Sequence, residues 1–228
     1  MAWIAIEAVR KLKNHDCEVH CVFTVQEEVG LRGAQASALQ IQPDFGFGLD
    51  TTIAYDVPGS SPQERCTALG EGAAIKLMDS SVICDYRMVA YMKAVATRNK
   101  IKWQPEILAA GGTDTASLQR MVAGGSIAGA VSIPTRHIHQ TIETCHKEDI
   151  AGSIRLLAAC VTEPTRSCKI CLISLTKTCT WLFVRVPRRS IPTRFMVPRK
   201  FPSYLAWADV CLCTLRRWGE CFLQRNLN

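Results

Sequence analysis

EVHCVFTVQEEVGLRGA, residues 18–34, is a strand running into an acidic loop. Glu18 to Val25 is rich in β-branched and aromatic residues, which suit a pleated, half-buried surface, and the polar Gln26-Glu27-Glu28 ends it before a turn at Gly30. Phe45 to Asp50 repeats the design, a short apolar strand with an aspartate at its end. Upstream, Ile4, Val9 and Leu12 fall at helical spacings, so Met1 to Lys13 reads as an amphipathic helix that begins without a cap. Downstream, Ala73 to Met78, Trp103 to Leu108 and Ile127 to Ile133 read as strands. Tyr86 to Arg98, a stretch opened by Gly111-Gly112-Thr113-Asp114, and Lys147 to about Cys160 read as helices. Strands alternating with helices across short connections predict an α/β three-layer sandwich around a mostly parallel sheet.

Charge divides the chain in two. Through Glu163 there are 15 Lys+Arg against 18 Asp+Glu, whereas the remaining residues hold 12 against 2, so the overall +7 belongs to the tail. Half of the 12 cysteines and half of the 10 prolines also fall after Glu163. Residues 1–163 are therefore read as one domain and residues 164–228 as a separate basic, Cys-rich tail, expected to be disordered or the product of a shifted reading frame. Cys168-x-x-Cys171 lacks a second pair at finger-like spacing, and no nucleic-acid motif accompanies the basic residues. No apolar run reaches about 18 residues, and Glu7 interrupts the first apolar stretch with no cleavage site after it. The expectation is a cytoplasmic protein without membrane or nucleic-acid partners.

In an open parallel sheet, ligands gather beyond the carboxyl ends of the strands, where the connecting loops converge. Glu27, Glu28, Asp50 and His139 all lie at or just past such an end. Carboxylates with one imidazole suit zinc, cobalt or manganese. Adjacent glutamates also permit a division of labour in which one ligates a metal and the other accepts a proton from water. A solvated loop pair is the plainer reading of Glu27-Glu28, and a hydrogen-bonded structural histidine that of His139.

Val22 to Ala34, FGFGLDTTIAYDVPG around Asp50, GAAIKLMDSSVI after Gly72, GGTDTASLQ from Gly111 and SIPTRHIHQTIE from Ser132 share one order and spacing. Together they resemble metallopeptidase family forty-two over roughly Trp3 to Val161, the family of glutamyl, tetrahedral and deblocking aminopeptidases. The resemblance implies a co-catalytic zinc aminopeptidase-like catalytic domain, incomplete at its N-terminus, acting on peptide substrates with two divalent metal ions (zinc or cobalt). By the same resemblance Glu27 matches the general base, Glu28, Asp50 and His139 match metal ligands, and Asp114 matches a substrate-binding position beside the crevice. Asp114 could equally be a helix N-cap, Arg136 could hold a substrate carboxylate or serve structure, and His137 is taken as a non-ligand.

The family pattern also contains a His-x-Asp motif and an Asp-Asp-Arg-like motif, both absent here, as is the inserted domain that supports homo-oligomer assembly. The expectation is therefore an aminopeptidase with impaired turnover and doubtful assembly. The alternatives are a non-catalytic homologue acting as a binding or regulatory subunit and, less favoured, an endoglucanase. For the last, Glu27 and Glu28 are poorly placed to flank a sugar bond.

Overall fold

The computed structural model describes residues 1–13, 15, 17–163, 169–175 and 183–186. In chain order the elements are α1 (Ala2–Arg10), β1 (Glu18–Thr24), α2 (Arg32–Ile41), β2 (Phe45–Ile53), β3 (Ala73–Met78), α3 (Tyr86–Arg98), β4 (Trp103–Ile107), α4 (Thr115–Arg120), β5 (Ile127–Arg136), β6 (Thr144–Cys145), α5 (Lys147–Thr162), β7 (Lys169–Leu175) and β8 (Phe183–Val186). The strands form one sheet in the order β4-β3-β5-β2-β7-β1-β8, with β6 on the side of β5. Strands β5, β2, β7 and β1 are mutually parallel, β3 runs antiparallel to β5, and β4 follows β3 in parallel. This is the expected α/β sandwich around a mostly parallel sheet. Of the tail, β7 and β8 are strands of the sheet, and its other residues lie outside those described.

Alternation along the strands separates two faces. Phe23, Phe47, Leu49, Ile75, Val131 and Ile133 pack with α1, α3 and α5 in the larger core. Val22 and Ala128 on the other face meet Ala34, Ala38 and Ile41 of α2 and Leu118 of α4. That second face is built from small residues because α4 lies almost on the sheet. A Cβ on Gly48 would stand 1.9 Å from Thr115 Oγ1, and one on Gly46 would stand 2.5 Å from Leu118 Cδ1. Gly48→Ala is accordingly expected to cost about 1–3 kcal/mol by overpacking, read from denaturant midpoints. A neutral result would mean that α4 is free to lift.

Caps set several helix starts. Asp85 accepts from Arg87 N at 2.8 Å, and His146 Nδ1 accepts from Glu148 N at 3.3 Å. Asp149, in the first turn of α5 and fully buried, accepts from Gly70 N and Gly72 N, each at 2.8 Å, and ties the entrance of β3 to that helix. Helix α2 has no such signal. Leu31 at its start is left-handed and makes no side-chain cap, and RGAQASALQI carries small residues on its buried side. For that reason no local sequence signal announces this helix, and its packing against the sheet fixes it.

Candidate active site

The chain leaves β1 through a tight reversal. Gln26 and Leu31 take positive φ of 56° and 57°, Leu31 N donates to Glu27 O at 2.9 Å, and Gly33 N donates to Val25 O at 3.0 Å. This turn sends neighbouring carboxylates in opposite directions: Glu27 is buried, whereas the Glu28 side chain is 58% exposed. The repulsion that a Glu-Glu pair would otherwise suffer is thus reduced by geometry.

Glu27 faces inward toward Asp50 and Asp114. Burial, then the charges of Asp50, Asp114, Glu28 and Asp79, push its carboxyl up to about 8. Asp50, in the carboxyl-terminal half of β2 and three residues before its end at Ile53, is raised to about 7, first by burial; the Thr51 N–H at 2.7 Å pulls it back, and Asp114 raises it further. Asp114 is raised to about 6 by burial, against a 2.6 Å hydrogen bond donated by Thr24 Oγ1 to Oδ2. Although Asp114 stands at the start of α4, its side chain makes no capping hydrogen bond, so it is directed at the site rather than at the helix. Its Oδ1 is buried without a partner.

His139 lies apart from this group. It and His137 occupy left-handed backbone (φ 65° and 60°), so the segment after β5 is a turn and not extended chain. Its Nδ1 is 3.6 Å from Glu28 Oε1, and both side chains are more than half exposed. Among the described residues no three His, Cys, Asp or Glu side chains are gathered closely enough to hold a metal ion. The donors nonetheless fit a divalent cation in kind: three mutually repelling buried carboxyls with an orphaned oxygen, and one imidazole at the rim, form a site that a positive charge would relieve. Arg136 is committed elsewhere, bound at both nitrogens to Asp56 (2.7 and 2.9 Å), which holds Asp56 below its ordinary range and makes Arg136 structural.

A buried polar group behind the acidic cluster has a faint sequence signal. Lys76 is a lone charge in the apolar strand AAIKLM, fully buried, touching Glu106 of β4 and lying 3.6 Å from Asp79. Burial pulls Lys76 down, but Glu106 and then Asp79 and Asp50 more than offset it, leaving its pKa raised. Asp79 accepts from Ser81 N (2.8 Å), Val82 N (3.0 Å) and Thr113 Oγ1 (2.9 Å), which fixes the turn carrying Asp114. A charged residue within an otherwise apolar strand was the one available cue to this network.

The raised carboxyls make stability depend on pH. Each folded pKa exceeds its unfolded value, so the folded chain binds the extra protons; that stability is fully present below about pH 4 and is lost as pH rises through about 6, 7 and 8. The melting temperature of the chain without added metal is expected to fall between pH 5 and 8.5, and cobalt or zinc ions to flatten the fall. A melting temperature that climbs over this interval would contradict the site's electrostatics.

The M42 glutamyl aminopeptidase family model matches residues 2–156. A relative from Acetivibrio thermocellus, assigned as an aminopeptidase, is 43% identical over 159 residues, covering 69% of this chain and 47% of its own length. An aminopeptidase from the archaeon Desulfurococcus kamchatkensis superimposes with TM-score 0.69 at 36% identity, over 71% of this chain and 46% of that one. The TET1 peptidase of Pyrococcus horikoshii, which can assemble into a tetrahedron or a large octahedral shell, matches with TM-score 0.54 at 32% identity over 62% of this chain and 40% of its own. The chain spans less than half the length of the curated relatives it matches, between 37% and 47%. With the acidic loop, Asp50 and Asp114 all inside the matched segment, the chain belongs to the M42 glutamyl aminopeptidase family.

Proposed function

We propose that this chain carries the hydrolytic part of a metal-dependent aminopeptidase site, acting on the free amino terminus of peptides. The observation that carries the reading is the burial of Glu27 beside Asp50 and Asp114, with the Asp114 Oδ1 oxygen left without a partner. Asp50 and the Glu28–His139 pair would hold the divalent ions, zinc or cobalt. When bound, the metal polarises the scissile carbonyl and acidifies water. Glu27 would accept the proton from water and return it to the departing amine, and the added positive charge would bring its carboxyl down from about 8 so that it is ionised at neutral pH. Asp114 would face the substrate's protonated amine. Assembly into homo-oligomers, as the TET1 peptidase of Pyrococcus horikoshii assembles into a tetrahedron or a large octahedral shell, is part of the same proposal.

The test adds cobalt or zinc to the full chain and follows release from aminoacyl p-nitroanilides, with N-acetylated substrates and soluble cellulose as controls. Cation-dependent hydrolysis confined to free amino termini and abolished by chelator is expected. Hydrolysis indifferent to chelator, or cleavage of cellulose, would overturn the reading. A second reading, a non-catalytic homologue serving as a binding or regulatory subunit, is favoured by one observation: no three metal-ligating side chains are gathered among the described residues. It requires cation addition to leave the chain without turnover.

A further inference from the structure

The strands that carry the acidic site do not pair with each other. Between β1, which leads to Glu27 and Glu28, and β2, which carries Asp50, the sheet order places β7. Its backbone pairs in parallel with β1 from Glu18↔Lys169 to Thr24↔Leu175, and with β2 from Phe45↔Ile170 to Leu49↔Ser174. Neighbouring strands stand about 4.8 Å apart, so this insertion holds β1 and β2 about 10 Å apart. The register also brings β7 to its end level with Thr24 and Leu49, directly under the site. Its sequence, KICLISL, is uncharged and almost wholly apolar after Lys169, the pattern of an interior parallel strand. Helix α1 lies across both β1 and β7. All of β7 falls outside the family-matched residues 2–156.

We propose that Lys169–Leu175 is the spacer strand of the acidic site: a segment beyond the family-matched region that joins the two halves of the sheet in cis and sets the separation of Glu27 from Asp50. Removing it would leave β1 with β8 on one side and β2 with β5, β3 and β4 on the other, each with an open row of backbone donors and acceptors. The inference stands apart from the aminopeptidase reading, since it concerns backbone pairing and not chemistry.

Hydrogen exchange followed by mass spectrometry on the full chain tests it. Amides of 169–175 are expected to exchange at least about 100-fold more slowly than unstructured peptide, alongside those of 18–24 and 45–49. Leu172→Pro removes a ladder donor and should release all three segments, whereas Leu172→Val should leave them protected. If Leu172→Pro does not fold, the parent chain and Leu172→Val still decide. Unstructured exchange of 169–175 while 127–136 stays protected would overturn the proposal. So would Leu172→Pro leaving 18–24 and 45–49 unchanged, or protection that fades on dilution, which would assign the strand to a second copy.

Discussion

Lys76→Met is expected to lower the unfolding free energy by about 3–5 kcal/mol, measured by denaturant titration at neutral pH. The ammonium has no exposed surface, touches the Glu106 carboxylate and lies 3.6 Å from Asp79. Methionine fills the same volume but leaves these carboxylates in a low-dielectric interior without a cation. Glu106 suffers most, since its Oε2 already has no hydrogen-bond partner, whereas Asp79 keeps the donors of Ser81, Val82 and Thr113. Lys76→Met/Glu106→Gln should therefore recover much of the loss, because the unpaired charge disappears with its partner. A loss below about 1 kcal/mol in the single variant would show that the network is not ionised as described.

Glu27→Gln is expected to reduce aminoacyl p-nitroanilide hydrolysis by about 10²–10⁴-fold, the usual contribution of a general base. Cation binding should survive, since Glu28, Asp50 and His139 are untouched. A second readout does not require turnover. The parent carboxyl holds its proton to about pH 8 because burial and the charges of Asp50 and Asp114 disfavour its ionisation. Glutamine cannot ionise, so without added metal the variant should lose less thermal stability than the parent between pH 6 and 8.5. Unchanged hydrolysis would remove Glu27 from the mechanism, and an unchanged pH slope would place its side chain in water.

Much of this site was legible before folding because its residues close strands whose patterns are strong. EVHCVFT and FGFGLD announce β1 and β2 through β-branched and aromatic content, which puts Glu27 and Glu28 just past β1 by counting; β2, expected to end at Asp50, runs on to Ile53 because its pairing with β5 continues. Strand β5, expected over Ile127 to Ile133, continues through Pro134 to Arg136, paired with β2 as far as Thr135 and with β6 at Thr135 and Arg136. The turn after it carries no glycine or asparagine signal, and left-handed backbone at His137 and His139 is uncommon for any non-glycine residue, though histidine adopts it more readily than most.

Sequence by itself determined the alternation of strands and helices, the acidic loop, and the family, because these rest on local propensity and on motifs in fixed order. Tertiary structure decided which neighbour of Glu27-Glu28 turns inward, that Asp114 reaches Thr24 rather than capping its own helix, and that Arg136 is spent on Asp56. It also decided that Lys76 is paired and that β7 lies between β1 and β2. Each of these depends on contacts between residues far apart in the chain, and the energies that fix them, desolvation and pairing of charge, exist only once those segments meet.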